Sequence, residues 1–350
     1  MTHAIPVRRW YRLSAVSGLI ALSAVSAQAR QDTKPVTKKA EAAKKAPAAK
    51  KAAAARIAPT HANVPYSPIG HERQVLDFYA SPAAGDAPAP LVVYIHGGGW
   101  MNGDKSGISP GLLKPLLDTG IHVASINYRF IPQAEEAKIE PPVRAPVSDA
   151  ARAIQFLRSK AAEWKIDPTR IGATGGSAGA CSSLWVGFHD DLADPKSDDP
   201  VARQSTRLTC IAVNGPQTSL DPKQLREWMP NMVYGGHAFG FRKNGQQRPE
   251  EFQAFYEGRD KVLPWIKEYS PYELVTSDDP PVFMEFPKQD KPAVMGETQT
   301  DPTHSAVLGM GLQERMKAAG VESRVSYPGH ADPEFAGGTA FLIARLRPAG

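Results

Sequence analysis

Two short glycine-rich stretches, whose His96 and Ser177 lie 81 positions apart, constrain this chain more than anything else in its 350 residues. One reads Gly175-Gly176-Ser177-Ala178-Gly179 and the other His96-Gly97-Gly98-Gly99-Trp100. The first follows the short strand-like run Arg170 to Thr174 and precedes the helix-compatible Cys181-Ser182-Ser183-Leu184-Trp185-Val186. It matches G-x-S-x-G, a strand–turn–helix bend that lifts a serine hydroxyl above the end of a sheet. A bend that tight strains the backbone at the serine, and its neighbours here are all Gly or Ala. The second stretch follows Leu91-Val92-Val93-Tyr94-Ile95, which reads as a buried strand. Three successive glycines allow positive φ and leave backbone amides unscreened. Amides arranged in this way stabilise a developing negative oxygen, and losing one donor costs about 2.7–4 kcal/mol of barrier. Together, in this order and each after a strand, the two stretches point to serine nucleophile chemistry.

A serine hydroxyl becomes a useful nucleophile only when a base removes its proton, and the base needs a carboxylate to orient it. With this bend the chain order is serine, acid, histidine. Downstream of Ser177 stand His189, His237, His304 and His330. Residues 281–286 read as a late strand, with Asp290 just past its end. Residues 321–327 alternate like a last edge strand, and Pro328-Gly329-His330 forms the loop that follows. Asp290 and His330 are therefore the expected acid and base. Asp301 and His304, on one long loop before a predicted helix over 306–319, are the alternative pair. The oxyanion donors are expected from the amides of the glycine run and of Ala178, the last of which opens a helix and shares its dipole.

These motifs resemble the α/β-hydrolase superfamily, in the branch of hormone-sensitive-lipase-like, acetyl-xylan and feruloyl esterase-like enzymes. His96 to Trp100 resembles that branch's oxyanion loop, and Ser125-Ile126-Asn127-Tyr128-Arg129 its "NYR" strand end. Asp149-Ala150-Ala151-Arg152-Ala153 and Ile166-Asp167-Pro168-Thr169-Arg170-Ile171 resemble the helix and turn that lead into the bend. The resemblance covers roughly residues 70–345. It implies an α/β-hydrolase fold: a mostly parallel central sheet, helices on both faces, and a cap-like insertion after the nucleophile helix. It also implies a carboxylesterase with Ser177, Asp290 and His330 as triad and Gly98, Gly99 and Ala178 around the oxyanion. The expected substrate is a small-molecule or polysaccharide ester with a short acyl or aryl group. A peptidase or amidase of the same fold, and a non-catalytic binding protein on a decayed site, are the alternatives. The chain departs from the branch at two places. Phe286-Pro287-Lys288-Gln289-Asp290 lacks the usual His-Gly before the acid, and His330 is followed by Ala331-Asp332-Pro333 instead of Gly-Phe.

Residues 1–29 carry Arg8, Arg9 and Arg12, then an apolar stretch and Ala27-Gln28-Ala29, the pattern of a cleaved signal peptide. That predicts a periplasmic or secreted protein and no stable membrane span. Residues 30–59, rich in Lys, Ala and Pro, bury too little to fold and are read as a linker. The linker is a solvated spacer or, in the alternative, a weak contact for anionic envelope polymers. The first 59 residues hold twelve Lys and Arg against two acids, so the whole-chain net charge of +5 leaves the body acidic. That argues against nucleic acid as a partner. Residues 60–350 fit one catalytic domain, in which an aromatic-rich segment over 187–272 is expected to cap the site. Trp100 is a candidate for the substrate pocket or for the core. Cys181 and Cys210 are expected as free buried thiols or a disulfide. No cofactor is implied, and no Cys/His spacing suits a metal.

Overall fold

Alternation within β3 (Ala89–Ile95) decides how the chain layers. Leu91, Val93 and Ile95 pack into one hydrophobic cluster with the helices Arg144–Ser159 and Ala178–Phe188. Val92 packs into a second cluster with the helices Pro110–Asp118 and Gly338–Leu346. Successive side chains of a strand point to opposite faces, so a strand that is apolar at every position needs helices above and below. The computed structural model describes residues 57–347. The expected signal peptide and the linker up to residue 56 lie outside them.

The other strands are β1 (His61–Pro65), β2 (Val75–Tyr79), β4 (His122–Ile126), β5 (Ile166–Gly176), β6 (Cys210–Asn214), β7 (Val282–Glu285) and β8 (Ser323–Ser326). They form one sheet in the order β1-β2-β4-β3-β5-β6-β7-β8. β2 runs antiparallel to both β1 and β4, and every pair from β4 onward is parallel. The α/β-hydrolase architecture expected from the sequence is therefore present. After β3 the chain crosses to β4 on one side, then returns to β5 on the other. Loops that leave neighbouring strands in opposite directions open a crevice at the strands' carboxyl ends. His96 leaves β3 at that point and Ser177 leaves β5.

Two facts refine the expected layout. The helices of the cap segment begin only at Pro222, because β6 occupies 210–214 within the 187–272 range. Cys181 and Cys210 are both free and buried, and they belong to clusters on opposite faces of the sheet, which rules out a bond between them. Burial pushes the Cys210 thiol up to about 12, so it behaves as a small apolar side chain.

The bend depends on missing side chains. A Cβ at Gly179 would lie 2.1 Å from the Ile95 carbonyl oxygen, and one at Gly175 would lie 2.5 Å from the same atom. A Cβ at Gly176 would meet nothing closer than the Asn214 oxygen at 3.8 Å. Gly179→Ala should therefore destabilise the protein by about 1–3 kcal/mol through overpacking. Gly176→Ala should change stability by less than about 1 kcal/mol. Urea unfolding of the two variants checks this, and equal midpoints would contradict it.

Candidate active site

Ser177 adopts φ 52° and ψ −122°, a left-handed region that costs a non-glycine residue about 1–3 kcal/mol. Its N–H donates to the Asn214 carbonyl at 2.9 Å, and its own carbonyl accepts from Cys181 N–H at 2.9 Å. The helix Ala178–Phe188 starts at once and is buried along its whole length. Sheet and helix thus hold the bend from both sides, and the hydroxyl is left facing the crevice.

The base that reaches it is His304. Its Nε2 lies 2.9 Å from Ser177 Oγ, and its Nδ1 lies 2.7 Å from Asp301 Oδ2. A carboxylate only accepts, so Nδ1 carries the proton, and Nε2 accepts from the serine hydroxyl. The short 3₁₀ turn Pro302–His304 brings acid and base together although they are only three residues apart. Gly215, at φ +54°, leaves room for the imidazole, since a Cβ there would sit 3.3–3.4 Å from His304 Cδ2 and Cβ. Two buried amides hold the loop: Gln217 Nε2 donates to the Thr303 carbonyl at 2.7 Å, and Gln289 Oε1 accepts from Ala306 N–H at 2.9 Å and Ser305 Oγ at 3.1 Å.

The pair expected first, Asp290 and His330, is corrected by this geometry. His330 is exposed, stacks on Tyr327 with ring centroids 5.0 Å apart, and exchanges backbone hydrogen bonds with it. A tight turn closed by those bonds keeps His330 at the end of β8, the edge strand. Asp290 is exposed, and it is the neighbouring Gln289 that turns inward. The alternative pair, Asp301 and His304, is the one brought to Ser177.

Gly98 (φ +107°) and Gly99 (φ +63°) line the same cavity as Ser177 and His304. The Gly98 carbonyl accepts from the amides of Met101 and Asn102, which closes the turn after the loop. His237 Nε2 donates to the Gly99 carbonyl at 3.1 Å, and Glu251 Oε1 accepts from the His237 amide at 2.7 Å. His237 and Glu251 come from the cap segment; the sequence offered His237 only as one of four downstream histidines and gave no signal for Glu251. Ala178, buried beside Ser177, offers the third amide at the start of its helix. Trp100 is fully buried, and its indole N–H donates to Ser182 Oγ at 3.0 Å. It belongs to the core beneath the loop and not to the pocket.

His96 fixes the start of the loop. Its Nδ1 donates to the Gly97 carbonyl at 2.8 Å, and its Nε2 accepts from Arg73 Nη2 at 3.3 Å. Burial first, and the Arg73 cation after it, drive the imidazole down to about 4, so it is neutral at ordinary pH. Tyr128 stacks on it at 4.3 Å and donates to its carbonyl at 2.7 Å.

Ser177 and His304 stand between two cavities. The larger, about 490 Å³, is lined by Gly98, Gly99, Tyr234, Arg242 and Arg248 among others. The smaller, about 190 Å³, is lined by Gly97, Gly176, Gly215, Phe286, Pro287 and Lys288.

Residues 76–306 match the BD-FAE family. A probable isoprenylcysteine alpha-carbonyl methylesterase, ICMEL2, of Arabidopsis thaliana is 35% identical over 130 residues, which is 37% of this chain and 28% of that protein. Esterase LipQ of Mycobacterium tuberculosis is 34% identical over 127 residues, 36% of this chain and 28% of LipQ. The chain thus matches well under a third of the length of these relatives. Among solved structures, an acetyl ester-xyloside bifunctional hydrolase from Caldicellulosiruptor lactoaceticus aligns with a TM-score of 0.55 at 24% identity, covering 77% of this chain and 86% of that one. A truncated carbohydrate esterase from gut microbiota aligns with a TM-score of 0.56 at 21% identity, covering 76% and 86%. These likenesses place the fold.

Two outcomes follow from the site. A fluorophosphonate probe should label Ser177, and His304→Ala should slow labelling by about 10³-fold or more, whereas His330→Ala stays within about threefold. Comparable loss in both variants would contradict the geometry. His96 binds its proton less readily folded than unfolded. Its contribution to stability is therefore full above pH 6.5 and is lost as pH falls through about 4. Between those values the unfolding midpoint of His96→Asn should depend on pH less steeply than that of the native chain.

Proposed function

The chain belongs to the BD-FAE family, and from that membership and the site geometry we propose that it is a serine carboxylic-ester hydrolase. The observation that carries the reading is the 2.9 Å contact between Ser177 Oγ and His304 Nε2, with Asp301 behind the imidazole. Ser177 attacks the ester carbonyl as His304 Nε2 takes the hydroxyl proton. Asp301 holds the Nδ1–H tautomer and stabilises the imidazolium that forms. The carbonyl oxygen becomes an anion held by the amides of Gly98, Gly99 and Ala178. His304 then gives its proton to the leaving alcohol, which departs from an acyl-enzyme. Water, deprotonated by the same imidazole, releases the acid.

The unequal cavities support a division of the substrate. The 190 Å³ cavity suits a short acyl group, and the 490 Å³ cavity suits the bulkier alcohol part. Esters of saccharides with short acyl groups are the class this favours, in line with the carbohydrate esterase and the acetyl ester-xyloside hydrolase whose structures align with this chain. The enzyme acts after export, a reading that rests on the sequence pattern of residues 1–29.

Nitrophenyl esters of increasing acyl length test this. Acetyl and propionyl esters should be cleaved at least about tenfold more efficiently than the decanoyl ester, because a long chain overfills the smaller cavity. Ser177→Ala should abolish turnover of all of them. Full activity in that variant would overturn the assignment, and cleavage of aminoacyl amides in preference to esters would move it to the peptidase reading.

A further inference from the structure

The larger cavity contains more hydrogen-bond donors than it can use. Tyr234 is only 7% exposed, and its hydroxyl has no partner. It sits against the oxyanion loop, 3.2 Å from where a Cβ on Gly99 would be. Burial raises its pKa, so the hydroxyl keeps its proton and remains a donor. Arg242 commits one Nη to Glu135 at 2.6 Å, but its buried Nε–H has no acceptor. Arg248, by contrast, is exposed at the rim; its guanidinium lies 5.8 Å from the Tyr234 ring centroid and, among the described residues, pairs with no carboxylate. Arg248 is also the first residue of the helix Arg248–Gly258, where the helix dipole opposes a cation. The one acid in the lining, Glu251, is turned to the His237 amide and lies 3.4 Å from His237 Nδ1.

Buried donors without acceptors are costly, and a ligand that brings acceptors removes the cost. An uncharged sugar hydroxyl brings a donor along with its acceptor. A carboxylate brings acceptors only, matches the planar fork of a guanidinium, and answers Arg248, the arginine of this lining that pairs with no carboxylate. Resting on the ester-hydrolase reading, we propose that the 490 Å³ cavity selects esters whose alcohol part carries a carboxylate, such as an acylated hexuronate, with Arg248, Arg242 and Tyr234 receiving it. The carboxylate is remote from the scissile bond, so it acts in binding and orientation and takes no part in the covalent steps.

The test compares an acetylated methyl hexuronoside with its carboxamide, equal in shape but uncharged. The native enzyme should cleave the acid with a kcat/KM about tenfold or more above the amide, mostly through a lower KM, and the ratio should shrink as salt rises. Arg248→Gln and Tyr234→Phe, checked for folding by circular dichroism, should each bring the ratio toward one. Equal cleavage of both probes by the native enzyme, or preference for the amide, overturns the proposal and leaves the esterase reading intact. A preference that survives both substitutions overturns the assignment to this cavity. Cleavage of neither probe, together with inertness toward nitrophenyl acetate, overturns the esterase reading itself. The salt series needs no variant, so it decides the point even if Arg248→Gln does not fold.

Discussion

Backbone touches backbone where β3 and β5 end, and everything chemical in this molecule follows from that contact. Three glycines make it. A Cβ on Gly97 would lie 2.6 Å from the Gly176 carbonyl oxygen, and those on Gly175 and Gly179 would press into the Ile95 carbonyl. Only with all three bare does the oxyanion loop lie against the serine bend. The sheet order explains why the two segments are neighbours at all. β3 and β5 are adjacent parallel strands, paired from Leu91–Ile171 to Ile95–Gly175, and the chain leaves them toward opposite sides. The crevice is a result of topology, and the glycines let reactive groups occupy it.

Holding bare backbone in a fixed shape needs polar atoms inside the protein. Arg129 makes a two-pronged pair with Asp149 at 2.9 and 2.7 Å, and Gln74 donates to the same carboxylate at 2.7 Å. Lys105 and Asp77 pair at 2.8 Å, both nearly buried. Asn127 accepts from the Lys105 amide and donates to Asp104. Buried pairs of this kind contribute little net stability, because desolvation offsets most of the attraction. Their value here lies in direction. Tyr128 and Arg73 reach the His96 carbonyl and ring, so the "NYR" strand end and the glycine loop form one polar assembly. A hydrophobic core of the same volume would leave the loop free to slide.

What the sequence revealed and what it hid divide along chain distance. Ser177, the glycine loop and the strands before them were legible because each is a local pattern, a short β-favouring run ending in residues that tolerate positive φ. The alternation of β8 was legible for the same reason. The acid and base were not fixed, because both candidate pairs sit on loops, and a loop's path is set by contacts that no local pattern encodes. Gln217 and Gln289 hold the turn that carries His304, from 87 and 15 residues upstream of it. Neither belongs to any motif. The three-residue spacing of Asp301 and His304 was the available signal, since a single 3₁₀ turn places such a pair side by side. Trp100 was left between pocket and core for a different reason. Its position after the loop suggested the pocket, but φ 56° at that residue turns the ring under the loop and into the core.

Chemistry and selection are separated in this chain. In the proposed reaction the sheet supplies the nucleophile and the oxyanion amides, and the loop before the helix Ala306–Ala318 supplies acid and base. The segment between β6 and β7 supplies His237, Glu251, Tyr234, Arg242 and Arg248, all on one side of the serine. Of these, His237 and Glu251 are satisfied and brace the loop, while Tyr234 and Arg242 each keep an unpaired buried donor. Native proteins rarely leave such groups unpaired unless something else completes them. The strained serine backbone has the same character, a local rule broken where function is served. The strained Ser177 and the orphaned donors of Tyr234 and Arg242 line the same cavity, which is why the proposed reaction and the proposed binding of the rest of the substrate are assigned to it. On the esterase reading, the segment between β6 and β7 can therefore change its side chains and alter which ester is accepted without disturbing the contact between β3 and β5 that sets the serine against the glycine loop.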